Sequence, residues 1–243
     1  MKNKNKLIIY PLGYFILSLI GFGILNLFGI QYDDLRIHYY GIPMMIVMGF
    51  YVWRVNLRSF GFTSRDLIPS KSFLTLNWLP FLAILMVTTS VIEALVTNHQ
   101  PLRVLSIGLL TFLIGFSEEG LFRRFLIKEG LKEYPPLVVF LYSSFLFALV
   151  HMANIAGGLD PTSAFIQCIY ALPFGLLAAF LYMETKNIAA LIFWHMSVDF
   201  SVFLGEIGIF YTGIIFGKLM DILLFVVTIL LLLQRGKDFF NNK

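Results

Sequence analysis

The sequence predicts an all-α, polytopic membrane protein of eight transmembrane helices with an intramembrane polar cavity. Three observations carry that prediction. Of 243 residues, 58% are hydrophobic and only 13% charged, whereas a soluble domain carries about 25% charged residues. The apolar residues fall into long blocks close to the roughly 20 residues that a helix needs to cross a bilayer, not into the short alternating segments of a membrane β-barrel. The basic residues, finally, alternate between the two sides that those blocks define.

Taken in order, the first block is 7–30. With the preceding "MKNKNK" it looks like the charged and apolar regions of a signal peptide. Its apolar run exceeds the about 7–15 residues of such a region, and no small-residue cleavage site follows, so it is expected to remain as the first span. The next blocks are 39–55, which is short, and 74–97. The fourth, 104–128, opens on the uncharged "VLSIGLLTFLIG" and then runs into "FSEEGLFRRF", Phe116 to Phe125. Blocks at 136–153, 162–183, 188–205 and 208–234 complete the eight. With no internal repeat and no large polar insertion, residues 1–243 read as one transmembrane domain. The single cysteine, Cys168, allows no intrachain disulfide.

Even-numbered spans with both termini in the cytoplasm put Lys2, Lys4 and Lys6 inside, then Arg54, Arg58, Arg65 and Lys71. Arg123, Arg124, Lys128 and Lys132 follow, then Lys186, and last Arg235, Lys237 and Lys243. Those are 15 of the 18 basic residues; Arg36 and Arg103 fall outside, with Lys218 near the outer end of the last span. The asymmetry obeys the positive-inside rule. The net charge of +4 thus reports topology and not a nucleic-acid partner.

An ionisable group inside a span costs about 2.5–3.5 kcal/mol on insertion scales, so each asks for a reason. Away from predicted ends these are Glu93, Glu118, Glu119, Arg123, His151, His195, Asp199 and Lys218. Glu119 and Arg123 stand i, i+4 in the order that favours a helix ion pair, a structural explanation for both. Consecutive residues project about 100° apart, so Glu118 needs a partner from another helix or a water-filled cavity. His151, with Phe147 a turn before it and Asn154 after, suits a helix end as well as chemistry. His195 and Asp199 share a face at i, i+4, and a mutually satisfied buried pair is the plain alternative.

Three spans thus each carry one proton-transfer or ligating group: Glu118, His151 and His195. Converging on one cavity, they can activate a water and steady an oxyanion. Two histidines and a glutamate can equally hold a zinc ion with an open water site. A rise of 1.5 Å per residue puts all three about 10 to 22 Å from the inner surface, compatible with a cavity that opens to the cytoplasm.

These residues resemble the CPBP family of CAAX-protease and bacteriocin-processing (Abi) intramembrane proteases. Its motifs EExxxR, FxxxH and HxxxN or HxxxD read here as "EEGLFR" (Glu118 to Arg123), "FALVH" (Phe147 to His151) and "HMSVD" (His195 to Asp199). They lie on the fourth, fifth and seventh spans, within a core of about 75–205; spans one, two and eight carry none. The resemblance implies an endopeptidase with Glu118 as catalytic glutamate, His151 as its partner in activating water, and His195 with Asp199 stabilising the oxyanion. Glu119, Arg123 and Asn154 are expected to support them. Asp199 stands where eukaryotic prenyl-processing relatives look to have Asn; an ionised Asp cannot donate to an oxyanion, so it either orients His195 instead or stays protonated. A zinc mechanism and a metal-free glutamate mechanism both fit the resemblance, and there is no HExxH helix.

The sequence has no GxSG serine element, and "GGLD" (Gly157 to Asp160) is not a GxGD aspartyl motif. Two alternatives from other classes are a non-catalytic bacteriocin-immunity or sensor-binding scaffold using the same cavity, and a transporter, which the missing repeat disfavours. Abundant Lys, Asn, Ile and Phe point to an AT-rich coding genome, hence a bacterial cell membrane. The expected partner is a membrane-associated peptide or lipoprotein substrate.

Overall fold

The computed structural model describes residues 4–59 and 101–206, with isolated helical positions at Ile92, Val226, Ile229, Leu230 and Leu233. The expected third and eighth spans, with Glu93 and Lys218, lie outside the described residues apart from those positions. Within the described residues every regular element is helical. Four helices are long and apolar enough to cross a membrane, Lys6–Leu27, Pro101–Gly130, Pro136–Gly157 and Pro161–Thr185, and Ile188–Leu204 is a shorter apolar one.

Helix α1 (Lys6–Leu27) shows how the sequence sorts its faces. Ile8, Leu12, Ile16, Ile20 and Ile24, four apart, are about half exposed, while Leu7, Pro11, Tyr14 and Ser18 are buried. A stripe this apolar needs hydrocarbon around it, since in lipid the helix satisfies its own backbone and the outward side chains meet acyl tails. The chain leaves α1 through Gly29, whose φ of 72° suits a residue without Cβ, and turns back in the loop 28–36. There Arg36 donates to both Asp34 oxygens and to the Gly29 carbonyl. Those bonds hold the Asp34 carboxyl down to about 2.

Helix α2 (Ile37–Ser59) buries Met45, Met48, Val52 and Val55 at the same helical spacing and turns Ile46, Val47, Phe50 and Trp53 outward. Next in the described chain is a rod in three parts. It comprises α3 (Pro101–Glu118), a wider π-helical segment (Glu119–Phe125) and α4 (Leu126–Gly130). Every residue of the π segment is buried. Packed around the rod are α5 (Pro136–Val150), which tightens into a 3₁₀ segment (His151–Gly157), and then α6 (Pro161–Thr185) and α7 (Ile188–Glu206). Asp160 caps α6 by accepting from the Thr162 and Ser163 amides, which hold its carboxyl below the usual range.

Two close approaches fix the site. A Cβ on Gly115 would lie 2.8 Å from the Ile192 carbonyl oxygen, so glycine lets α3 and α7 touch backbone to backbone. On Gly175 it would meet the Ser144 carbonyl at 3.2 Å and the Phe147 ring at 3.1 Å. The first contact sets His195, a turn beyond Ile192, against the start of the π segment. The second stacks Phe174 of α6 on Phe147 of α5, with ring centroids 5.8 Å apart.

Candidate active site

The three motifs converge. Glu118 ends α3, Glu119 and Arg123 lie in the π segment, His151 opens the 3₁₀ segment, and His195 and Asp199 sit mid-α7. A π turn inserts one residue into the α-helical ladder and frees carbonyl groups. Here the Gly120 carbonyl accepts from Asn56 Nδ2 at 3.1 Å and the Phe122 carbonyl from Ser143 Oγ at 2.6 Å. Asn56 also accepts from Arg124 Nη1 at 2.7 Å, which provides for a fully buried guanidinium. The widened turn is thus held from α2 on one side and α5 on the other.

His195 is the hub. Its Nδ1 lies 2.8 Å from Glu119 Oε1. A carboxylate only accepts, so the ring proton sits on Nδ1 and points at Glu119. The opposite nitrogen, Nε2, is 3.8 Å from Glu118 Oε2 and 3.5 Å from Asp199 Oδ2. At these separations a single oxygen atom can sit within hydrogen-bond reach of Nε2 and either carboxylate. Glu119 turns its other oxygen to Arg123 Nε at 3.2 Å, and both side chains are fully buried. The Arg123 guanidinium lies over the Phe147 ring, 4.0 Å from its centroid, a cation–π contact worth about 2 kcal/mol when desolvated.

The EExxxR pair is therefore not confined to one helix face. Glu119, expected as a helix-end partner of Arg123, also anchors the histidine of the third motif, 76 residues away. Spacing predicts the ion pair and is silent about the anchor, because nothing local encodes contact with α7.

His151 Nδ1 is 3.1 Å from the Phe147 carbonyl. Donation to that carbonyl caps the end of α5 and leaves Nε2 with its lone pair. Of the two explanations given by the sequence, this contact is the capping one, and the ring also lines a cavity. Asn154 donates from Nδ2 to Gln167 Oε1 at 2.7 Å, and Gln167 donates from Nε2 to the Tyr32 hydroxyl at 2.7 Å. Asn154 thus hydrogen-bonds toward the loop 28–36 while lining the same cavity as Glu118 and His195.

A cavity of about 340 Å³ is lined by Glu118, His151, His195 and Asp199 together. The histidine rings are backed by aromatic side chains: Phe174 stacks on Trp194 at 4.5 Å and leans on His195 at 4.8 Å, and Phe147 touches both histidine rings. The first two spans carry no motif, yet α1 and α2 supply much of the wall. Tyr14 lines the cavity and shares a 3.1 Å hydrogen bond with Ser117. Sequence reasoning missed Tyr14, Phe174 and Gln167. A hydroxyl mid-span was a visible signal for the first; the other two had none.

A zinc ion needs several donors about 2 Å from one point. Among the described residues no group of three His, Cys, Asp or Glu side chains comes together in that way. The donor set does not fit the ion.

The family model described as type II CAAX prenyl endopeptidase Rce1-like matches residues 75–201, just over half of the chain. The chain belongs to the Rce1-like family. No curated protein and no solved structure matches it. Rce1-like proteins are a membrane-embedded protease family, and the apolar helices make this member a multi-pass membrane protein acting among lipids on a membrane-associated substrate. The matched range takes in Glu118, His151, His195 and Asp199.

Proposed function

We propose that the chain is an eight-span intramembrane endopeptidase that hydrolyses a membrane-associated peptide or protein with a glutamate-activated water. The observation that carries this reading is the cavity itself, whose lining includes Glu118, His151, His195 and Asp199 from three parts of the chain. Groups this costly in a span earn their place by acting together.

Glu118 is the general base. It takes a proton from a water that attacks the peptide carbonyl, with His151 Nε2 as a second acceptor on that water. The tetrahedral oxyanion needs a donor, and His195 in its imidazolium form donates from Nε2. Glu119 fixes the ring through Nδ1 and, with Asp199, offsets its charge. Asp199 keeps the ring from swinging. Protonated Glu118 then returns the proton to the leaving amine, so base and acid are one group.

Removing the base tests this directly. Glu118→Gln preserves volume and polar character, and should cut turnover of a membrane peptide by about 10²–10⁴-fold, with unchanged membrane insertion. Full retention of biological function by that variant would favour the binding-scaffold reading. Incubation of purified protein with a chelator should leave turnover unchanged; a loss restored by zinc would overturn the metal-free route.

A further inference from the structure

The cavity is one-ended. Its lining runs from Glu118 and His195 to the exposed Asp33 in the loop 28–36, and to Leu159 beside the 3₁₀ segment. That end of the bundle also holds the N-terminal ends of α2, α3 and α6 and the C-terminal end of α7. Phe122, Phe147 and Trp194 and the Glu119–Arg123 pair are buried and do not line the cavity. No lining residue comes from the far end.

The far end is the basic one. Lys4 lies over the Tyr134 ring at 5.3 Å, and the Tyr142 hydroxyl donates to the Leu7 carbonyl. The start of α1 therefore sits beside the α4–α5 turn with Lys128 and Lys132. Arg54 and Arg58 end α2 there, and Lys186 ends α6. At the mouth end the described basic residues are Arg36 and Arg103, and Arg36 is held by Asp34. Basic loops stay in the cytoplasm. On that placement the cavity opens away from the cytoplasm, opposite to the direction expected from helix depth, because depth counted along a helix does not say which way the space between helices widens.

The lining is acidic as well as apolar. Its titratable groups are Asp33, Glu118, His151, His195 and Asp199, with no lysine or arginine among the described residues, beside Met44, Ile114, Val150 and Phe203. The His195 imidazolium offsets the inner carboxylates, so the acidic group at the rim is Asp33. We infer that the cavity opens to the extracytoplasmic face and takes an apolar peptide segment flanked by lysine or arginine, presented after export. This rests on the reading of the cavity as a peptide-hydrolysing site. A cationic flank gains the field of Asp33 at the rim, while an acidic flank or free carboxylate end meets like charge.

The test is independent of turnover. In cells producing the full chain with Cys168→Ser, one cysteine is placed at Asp33, Ile114 or Lys132. A membrane-impermeant maleimide applied to intact cells should modify Asp33→Cys and Ile114→Cys, and Lys132→Cys only after permeabilisation. Any other pattern overturns the assigned face: reaction at Lys132→Cys in intact cells, or protection of either cavity position. An apolar peptide flanked by lysines should slow labelling of Ile114→Cys by about threefold relative to the same peptide flanked by glutamates, as one partly exposed ion pair allows. Equal protection overturns the charge preference. Labelling as expected alongside an active Glu118→Gln would overturn the protease reading and leave the assigned face standing.

Discussion

Glu119 serves two cations at once, and removing its charge should expose both dependencies. With Glu119→Gln the amide oxygen can still accept from His195 Nδ1, but Arg123 becomes a buried charge without its direct ion-pair partner. Breaking a buried pair from one side costs about 3–5 kcal/mol. The single variant should therefore melt at distinctly lower temperature in detergent. Adding Arg123→Met, which replaces the pair with a neutral couple, should recover most of the loss without restoring turnover. If the double variant is no more stable than the single one, the pair does not carry the stability assigned to it. The i, i+4 spacing made Glu119–Arg123 legible from sequence, as it did His195–Asp199, whose Nε2–Oδ2 separation is 3.5 Å. The Glu119–His195 bond was not legible, because it depends on a helix contact that Gly115 permits.

At the scale of the element, the π segment Glu119–Phe125 decides the site's shape. Sequence periodicity gives a continuous helix through 104–128 and no sign of a wider turn, because every side chain in it is compatible with an α-helix. What sustains the turn is remote: Asn56 and Ser143 bond the carbonyls of Gly120 and Phe122. Ser143→Ala leaves the Phe122 carbonyl without that bond in a buried setting, at a cost of about 1–3 kcal/mol. Because Phe122 precedes Arg123, the loss should also reach the site. The expected outcome is a modest fall in melting temperature with a larger fall in turnover, and Ser143→Thr, which keeps the hydroxyl, should retain more of both. Equal effects of the two substitutions would show that the hydroxyl is not what holds the turn.

For the whole molecule, the sequence disclosed the class, the order of motifs and the polar residues that meet. It did so because lipid imposes one rule on every span, and a breach of that rule stands out. It did not disclose the vessel. Wall residues such as Met45, Met48 and Leu110 are ordinary apolar side chains whose inward direction depends on how α1 and α2 close against the rod. That division between chemistry and container can be tested on the part of the wall that α2 supplies. Met45 is buried, lines the cavity and belongs to α2, which carries no motif. Met45→Trp adds bulk to a space of about 340 Å³ while leaving Glu118, His151 and His195 untouched. A long apolar peptide, which must thread past that wall, should lose at least about tenfold in kcat/KM, about 1.4 kcal/mol of transition-state binding, mostly through KM. A short peptide that occupies only the space between Glu118 and His195 should be cleaved at close to the original rate. Equal loss for both lengths would mean that the indole has disturbed the catalytic groups themselves, and that the wall of α2 is not a separate determinant of what the cavity admits.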